Sequence, residues 1–223
     1  AEVWRGATPW LGGDTVHGVM NYRLRAAILD YCAWDHMDAE DFDYELTQLR
    51  AEHGASAPYH LTLLGSHDTA RILTACGGDA ERARLAAIFQ FTYIGIPMIY
   101  YGDEIGMVGE NDPLCRAGMI WDKRRWNGRL YETYRRLIAL RRAHAALTQG
   151  INEFAVLIGH QVGNVMGNKR SGNALANASI TDQNHVVCEQ RRVGRSGQLG
   201  QRIVVLFQTS GHAGSSQCPT AQW

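Results

Sequence analysis

The sequence predicts an α/β fold on a parallel sheet over residues 1–149, followed by a short β-rich or irregular segment over 150–223. Up to about residue 147, apolar runs of strand length alternate with longer stretches of helical spacing, the βαβα rhythm of a parallel sheet. Near Gly150 the character changes, and Gly, Asn, Ser, Gln and Arg dominate with little period-two alternation. The most apolar window, LAAIFQFTYIGIPMIYY, carries Gln90 and is broken by Gly95 and Pro97, so it reads as a buried helix and a buried strand rather than a membrane span.

Taken in order, GVMNY is a strand candidate and RLRAAILDYCAW a helix with apolar residues at helical spacing. FDYELTQLRAEHG is a second amphipathic helix that stops at Gly54, a C-cap residue. YHLTLLGS is a strand. DAERARLAAIFQFTYIG is a helix with Asp79 as N-cap and Glu81 in its first turn, where a negative charge suits the helix dipole. IPMIYYG is another buried strand. RLYETYRRLIALRRAHAAL closes the series, with Leu130, Tyr134, Leu137, Ile138, Leu140 and Leu147 mostly on one stripe. Beyond it only HVVCEQ and RIVVLFQ look like strands, so 150–223 reads as an atypical β domain or a disordered segment, and a change of reading frame near Gly150 is one explanation.

Composition narrows the function classes. Lys plus Arg number 22 and Asp plus Glu number 22, so no long-range field draws the chain to nucleic acid or to an anionic membrane, and neither partner is expected. Five cysteines, far apart and without a C-x-x-C pair, suggest neither a disulfide framework nor a zinc site. Reduced thiols favour a cytoplasmic location. The opening residues carry no basic n-region or apolar signal core, and the chain reads as starting inside a domain.

In a parallel α/β sheet, chemistry sits at the carboxyl ends of the strands. Three candidate strand ends carry polar groups: AEVW gives Glu2, LLGSHD gives His67 and Asp68, and IYYGDE gives Asp103 and Glu104. Paired carboxylates, one protonated and one ionised, are what glycoside hydrolysis requires. Such a cluster could equally hold a metal. The strand ends are separated by long helical stretches without a D-x-D-x-D loop, so no metal is expected. Neither G-x-x-x-x-G-K-[ST] nor a strand followed by G-x-G-x-x-G is present, which removes phosphate chemistry. Singly, each residue has a plainer reading: Glu2 solvated, His67 a turn histidine, Asp68 an N-cap, and Asp103 and Glu104 paired with arginines as anchors. Trp4 and Trp10 read as core aromatics or as surfaces that stack on sugar rings.

AEVW, GVMNY, LLGSHDTARILT, IGIPMIYYGDEIGMVG and NDPLCRAGMIWD, in that order and spacing, resemble glycoside hydrolase family thirteen, the alpha-amylase family. The GSHDT-x-R and DP-x-CR-x-x-M-x-WD forms resemble its neopullulanase, cyclomaltodextrinase and maltogenic amylase group. The resemblance covers roughly residues 1 to 147 and implies the C-terminal half, strands five to eight, of a (β/α)8 TIM barrel. It implies that Glu2 is the general acid/base and that Asp68 is the carboxylate favouring the oxocarbenium-like transition state. His67 would bond the same sugar, Asp112 and Arg116 would hold sugars on the non-reducing side, and Trp4 would stack on the leaving-group sugars. Gly102 and Gly106 serve the backbone path. No cofactor is implied.

The resemblance also implies what is missing. The nucleophilic aspartate and its arginine lie on strand four of the family's barrel, and no such motif precedes Glu2. The chain therefore reads as a fragment of a retaining alpha-glucan hydrolase for maltooligosaccharides, cyclodextrins or pullulan, inactive alone. A non-catalytic carbohydrate-binding or structural remnant is the alternative.

Overall fold

The computed structural model describes residues 1–4, 6–11 and 15–148, together with the backbone of 174–180 and 186–192. The elements are α1 (Tyr22–Cys32), α2 (Ala39–His53), β1 (Leu61–Leu63), α3 (Ile72–Ala75), α4 (Ala80–Thr92), β2 (Ile96–Met98), α5 (Gly128–Ala143), α6 (Ala145–Thr148), β3 (Ala174–Ile180) and β4 (Val186–Arg192). Strands β1 and β2 are parallel, with Leu61 opposite Ile96 and Leu63 opposite Met98. A parallel bridge joins Met20 to Leu61. The Met20 N–H in turn donates to the Ala1 carbonyl at 2.9 Å. Four chain segments thus lie side by side, and their carboxyl ends share one rim.

The GVMNY strand contracts to that bridge for a local reason. Asn21 donates its N–H to the Leu61 carbonyl at 2.9 Å, and its side chain accepts from Leu24 N–H at 3.0 Å, so the chain leaves the ladder directly into α1. Side-chain caps also start α2 at Asp38, α4 at Asp79 and α5 at Asn127. Helix α2 ends at Gly54, and Asp79 and Glu81 open α4, both as its sequence predicts.

Helix α4 is buried from Ala83 to Thr92 and packs against both α1 and α5. Phe42 of α2 meets Tyr31 of α1 at 4.5 Å and Phe89 of α4 at 5.2 Å between ring centroids. Leu130, Tyr134, Leu137, Leu140 and Leu147 are buried along the predicted stripe, while Ile138 is only partly covered. Gln90 is reconciled with this apolar setting because its amide donates to the carbonyls of Thr62 at 2.7 Å and Met98 at 2.8 Å, tying α4 to both strands. From α5, Arg141 donates to the carbonyls of Phe91, Tyr93 and Gly95, which the end of α4 leaves without helical partners.

Three expectations need correction. The strand at IPMIYYG is not buried: Ile96 is 48% exposed, because among the described residues β2 has a partner on one edge only. The last helix does not run through to Leu147 but breaks at His144, whose extended backbone separates α5 from α6. Strand β3 lies in a stretch read from sequence as turn-forming, where it pairs antiparallel with β4, which includes VVCEQ. RIVVLFQ lies outside the described residues. No described helix is long and apolar enough to cross a membrane.

Candidate active site

The turn after β1 brings the first two functional groups to the rim. Ser66 and Thr69 close it: Ser66 N–H donates to Thr69 Oγ1 at 3.0 Å, and Asp68 N–H to Ser66 Oγ at 3.2 Å. Asp68 accepts no helix-capping bond, since α3 begins later, after Arg71. Instead its carboxylate faces His67, whose Nε2 lies 3.3 Å from Asp68 Oδ2 and 3.8 Å from Glu2 Oε2. One donor atom each from Glu2, His67 and Asp68 lie within 4.8 Å of one another. The imidazole therefore stands between two carboxylates from different strand ends. One oxygen of each carboxylate already accepts from a neighbour, Asp68 Oδ1 from the Arg116 guanidinium and Glu2 Oε1 from the Tyr22 phenol.

The loop after β2 supplies the opposite wall. Arg116 Nη2 lies 3.0 Å from Asp68 Oδ1, and its Nε lies 2.8 Å from Asp112 Oδ1 and donates to the His67 carbonyl at 2.8 Å. Cys115 Sγ also contacts that carbonyl, at 3.0 Å. Asn111 accepts from Ala70 N–H at 2.9 Å, and Arg71 N–H donates to the Gly109 carbonyl at 3.0 Å. Asp112 and Arg116 are thus locked to the turn bearing His67 and Asp68. Gly102 and Gly106 have φ of +89° and +77° where this loop leaves the strand, a backbone that side chains rarely tolerate.

Beneath the rim, Asp103 pairs with fully buried Arg71 at 3.2 Å. Burial pushes the Asp103 carboxyl up to about 7 despite that guanidinium. Asp103 is the expected anchor. Glu104 is not: its carboxylate accepts from Gly102 N–H at 2.7 Å, and among the described residues it forms no ion pair with an arginine.

Sequence reasoning missed Tyr22. Its hydroxyl donates to Glu2 Oε1 at 2.7 Å, and its ring stacks on Trp4 at 3.9 Å between centroids with planes 8° apart. Burial pushes the phenol up to about 12, so it stays a donor throughout the neutral range. The only signal was position, immediately after a strand end. Trp4 is 50% exposed, so it offers indole surface beside Glu2; Trp10 is exposed too, not core.

Two carboxylates and an imidazole gathered on the carboxyl rim of parallel strands define an α/β protein with a polar strand-end site. The chain belongs to the alpha-amylase family, since residues 1–128 match the model of the alpha amylase catalytic domain. It is 49% identical over 150 residues to neopullulanase 2 of Thermoactinomyces vulgaris, an alignment covering 67% of this chain and 26% of that protein. It is 47% identical over 150 residues to a cyclomaltodextrinase of Geobacillus thermopakistaniensis, with the same shares covered. Its fold is similar to the cyclic alpha-maltosyl-(1→6)-maltose hydrolase of Arthrobacter globiformis, with a TM-score of 0.66 and 36% identity, covering 84% of this chain and 37% of that one. The chain spans about a quarter of the length of the curated relatives it matches.

Proposed function

We propose that this chain carries the acid/base half of a retaining alpha-glucan hydrolase acting on maltooligosaccharides, cyclodextrins or pullulan. The reading rests on one observation: Glu2 and Asp68, from separate strand ends, face one another across His67. In this reading these segments are strands five to eight of a (β/α)8 barrel, and residues 150–223 are a short β-rich or irregular segment after it.

In this scheme protonated Glu2 gives its proton to the glycosidic oxygen as the bond breaks, and a nucleophilic carboxylate from outside this chain attacks the anomeric carbon. Glu2, now ionised, takes a proton from the water that hydrolyses the glycosyl-enzyme ester. Asp68 and His67 hold hydroxyls of the distorted sugar as positive charge develops at its ring. Asp112 and Arg116 bind the non-reducing side, and Trp4 stacks on the leaving-group sugar. Cys32, Cys76 and Cys115 are buried and form no disulfide among the described residues, which fits a reducing, cytoplasmic setting.

The test is hydrolysis of a cyclodextrin by this chain mixed with a separately produced N-terminal half of a related barrel. Activity in the mixture only, abolished by Glu2→Gln, is the expected result. Activity surviving Glu2→Gln would refute the acid/base role. Maltooligosaccharide binding without any turnover in the mixture would favour a carbohydrate-binding remnant.

A further inference from the structure

We propose that Tyr22 is a positioning residue for Glu2, which fixes the carboxyl group through Oε1, leaves Oε2 as the oxygen that carries the transferred proton, and ties Glu2 to the Asp68 turn through Ser66. The inference rests on the acid/base reading of Glu2.

A phenol has one proton to donate. The 2.7 Å contact with Glu2 Oε1 uses it, so the 3.2 Å contact between Tyr22 and Ser66 is made by the serine proton. Ser66 Oγ meanwhile accepts the Asp68 N–H at 3.2 Å. The chain Glu2 Oε1, Tyr22 Oη, Ser66 Oγ, Asp68 N therefore links the two carboxylate-bearing segments without passing through His67. With Oε1 engaged as an acceptor, a proton on Glu2 resides on Oε2. That oxygen faces the imidazole of His67 at 3.8 Å, on the side of the site where Asp68 lies.

The phenol is held rather than free to follow its partner. Tyr22 is the first residue of α1, and the preceding Asn21 is fixed at once by the strand ladder and by its own cap of the helix. Its ring is clamped by Trp4 and is 5% exposed. One residue thus sets both the acid/base carboxyl and the aromatic surface proposed for the leaving-group sugar. Among the described residues, the charged and titratable groups facing Glu2 are Tyr22 from α1, His67 and, beyond it, Asp68 from the turn after β1; the ammonium of neighbouring Ala1 is held on the Gly18 carbonyl at 3.0 Å. Only the first differs in the comparison below.

A phenol hydrogen bond to a carboxylate is stronger than one to the neutral acid. In Tyr22→Phe the ring stack survives and the donor is lost. The titration midpoint of Glu2, followed by carboxyl carbon NMR of this chain and assigned with Glu2→Gln, is expected to rise by about 0.5–1 pH unit. An unchanged midpoint in folded Tyr22→Phe would overturn the proposal. Replacing tyrosine by 3-fluorotyrosine throughout strengthens the donor in an intact fold and is expected to lower the midpoint; no movement there would overturn it equally. In the reassembled barrel, the alkaline limb of kcat/KM is expected to move to higher pH in Tyr22→Phe. The NMR arm needs no turnover, so a reassembled barrel without activity would count against the proposed function and leave this inference to the titration.

Discussion

Arg116 bridges Asp68 and Asp112, 3.0 Å from a carboxylate oxygen of the first and 2.8 Å from one of the second. All three side chains are a third to a half exposed, so the pairing adds little to stability against screening by water and salt. Its value lies in orientation: a planar fork fixes two carboxylates and keeps donors at the rim. Arg116→Ala is expected to change unfolding stability by no more than about 0.5 kcal/mol. Maltotriose affinity, measured by calorimetry or NMR titration, is expected to fall at least about tenfold, the loss of roughly one charge-assisted hydrogen bond. Arg116→Lys is expected to recover little of that affinity, because an ammonium cannot reach two carboxylates and the His67 carbonyl in one geometry. Full recovery by lysine would contradict the bridging role.

Arg71 and Asp103 behave differently because both are buried. Arg71 also lies over the rings of Tyr100 and Tyr101, at 4.9 and 4.7 Å, and donates to the Tyr101 carbonyl at 2.5 Å. Removing one partner strands a charge or an acceptor in the interior. Arg71→Met is expected to destabilise the fold by about 3–5 kcal/mol, and the double change with Asp103→Leu to destabilise it by less than Arg71→Met alone. Urea unfolding of the two variants decides this. Gly65→Ala is expected to disrupt the same spot, since a Cβ there would collide with Asp103 Oδ2.

Asp79 caps α4 by accepting from the N–H groups of Glu81 at 2.8 Å and Arg82 at 3.2 Å. Because α4 packs against both α1 and α5, the loss is felt by the whole domain. Asp79→Ala is expected to lower stability by about 1 kcal/mol, while Asp79→Asn or Asp79→Ser retains most of it. A chemical denaturation series over the three variants is the check.

Much of this was legible in the sequence because local chemistry and fold agree there. The cap at Asp79, the stop at Gly54 and the stripe on α5 each follow from short-range rules. The Glu2, His67 and Asp68 cluster was legible only through strand ends and the resemblance, since their sequence separation hides a contact of a few ångströms. Tyr22 was illegible for a related reason. A tyrosine after an apolar run looks like core, and the run itself gives no sign that the ring stacks on Trp4 and the hydroxyl meets Glu2. The open edge of β2 could not be read from IPMIYYG, because apolarity reports what a segment can bury and not what lies beside it.

His60 gives the fold a pH dependence of definite sign. It is 1% exposed, and its Nδ1 accepts the Val19 N–H at 3.2 Å. Its proton therefore sits on Nε2, donated to Ser56 Oγ at 3.0 Å, while Ser56 donates to the His53 carbonyl at 2.6 Å. A second proton on Nδ1 would point at the Val19 N–H. Burial, and next the charge of stacked His53, press His60 down to about 4, and burial lowers His53 as well. An unfolded histidine titrates near 6.5, so between about 6.5 and 4 the unfolded chain binds the proton that the folded one refuses. The contribution of His60 is complete above that window and is lost as pH falls through it, with a slope of up to about 1.4 kcal/mol per unit. Asp103, raised to about 7, acts with the opposite sign between roughly 4 and 7, because there the folded state binds the extra proton. Urea unfolding at pH 4.5, 5.5 and 7 is therefore expected to show a steeper acid loss in Asp103→Asn than in the parent chain. In His60→Asn the loss is expected to be shallower than in the parent. A His60→Asn variant with the parent's acid slope would place the pH sensitivity elsewhere.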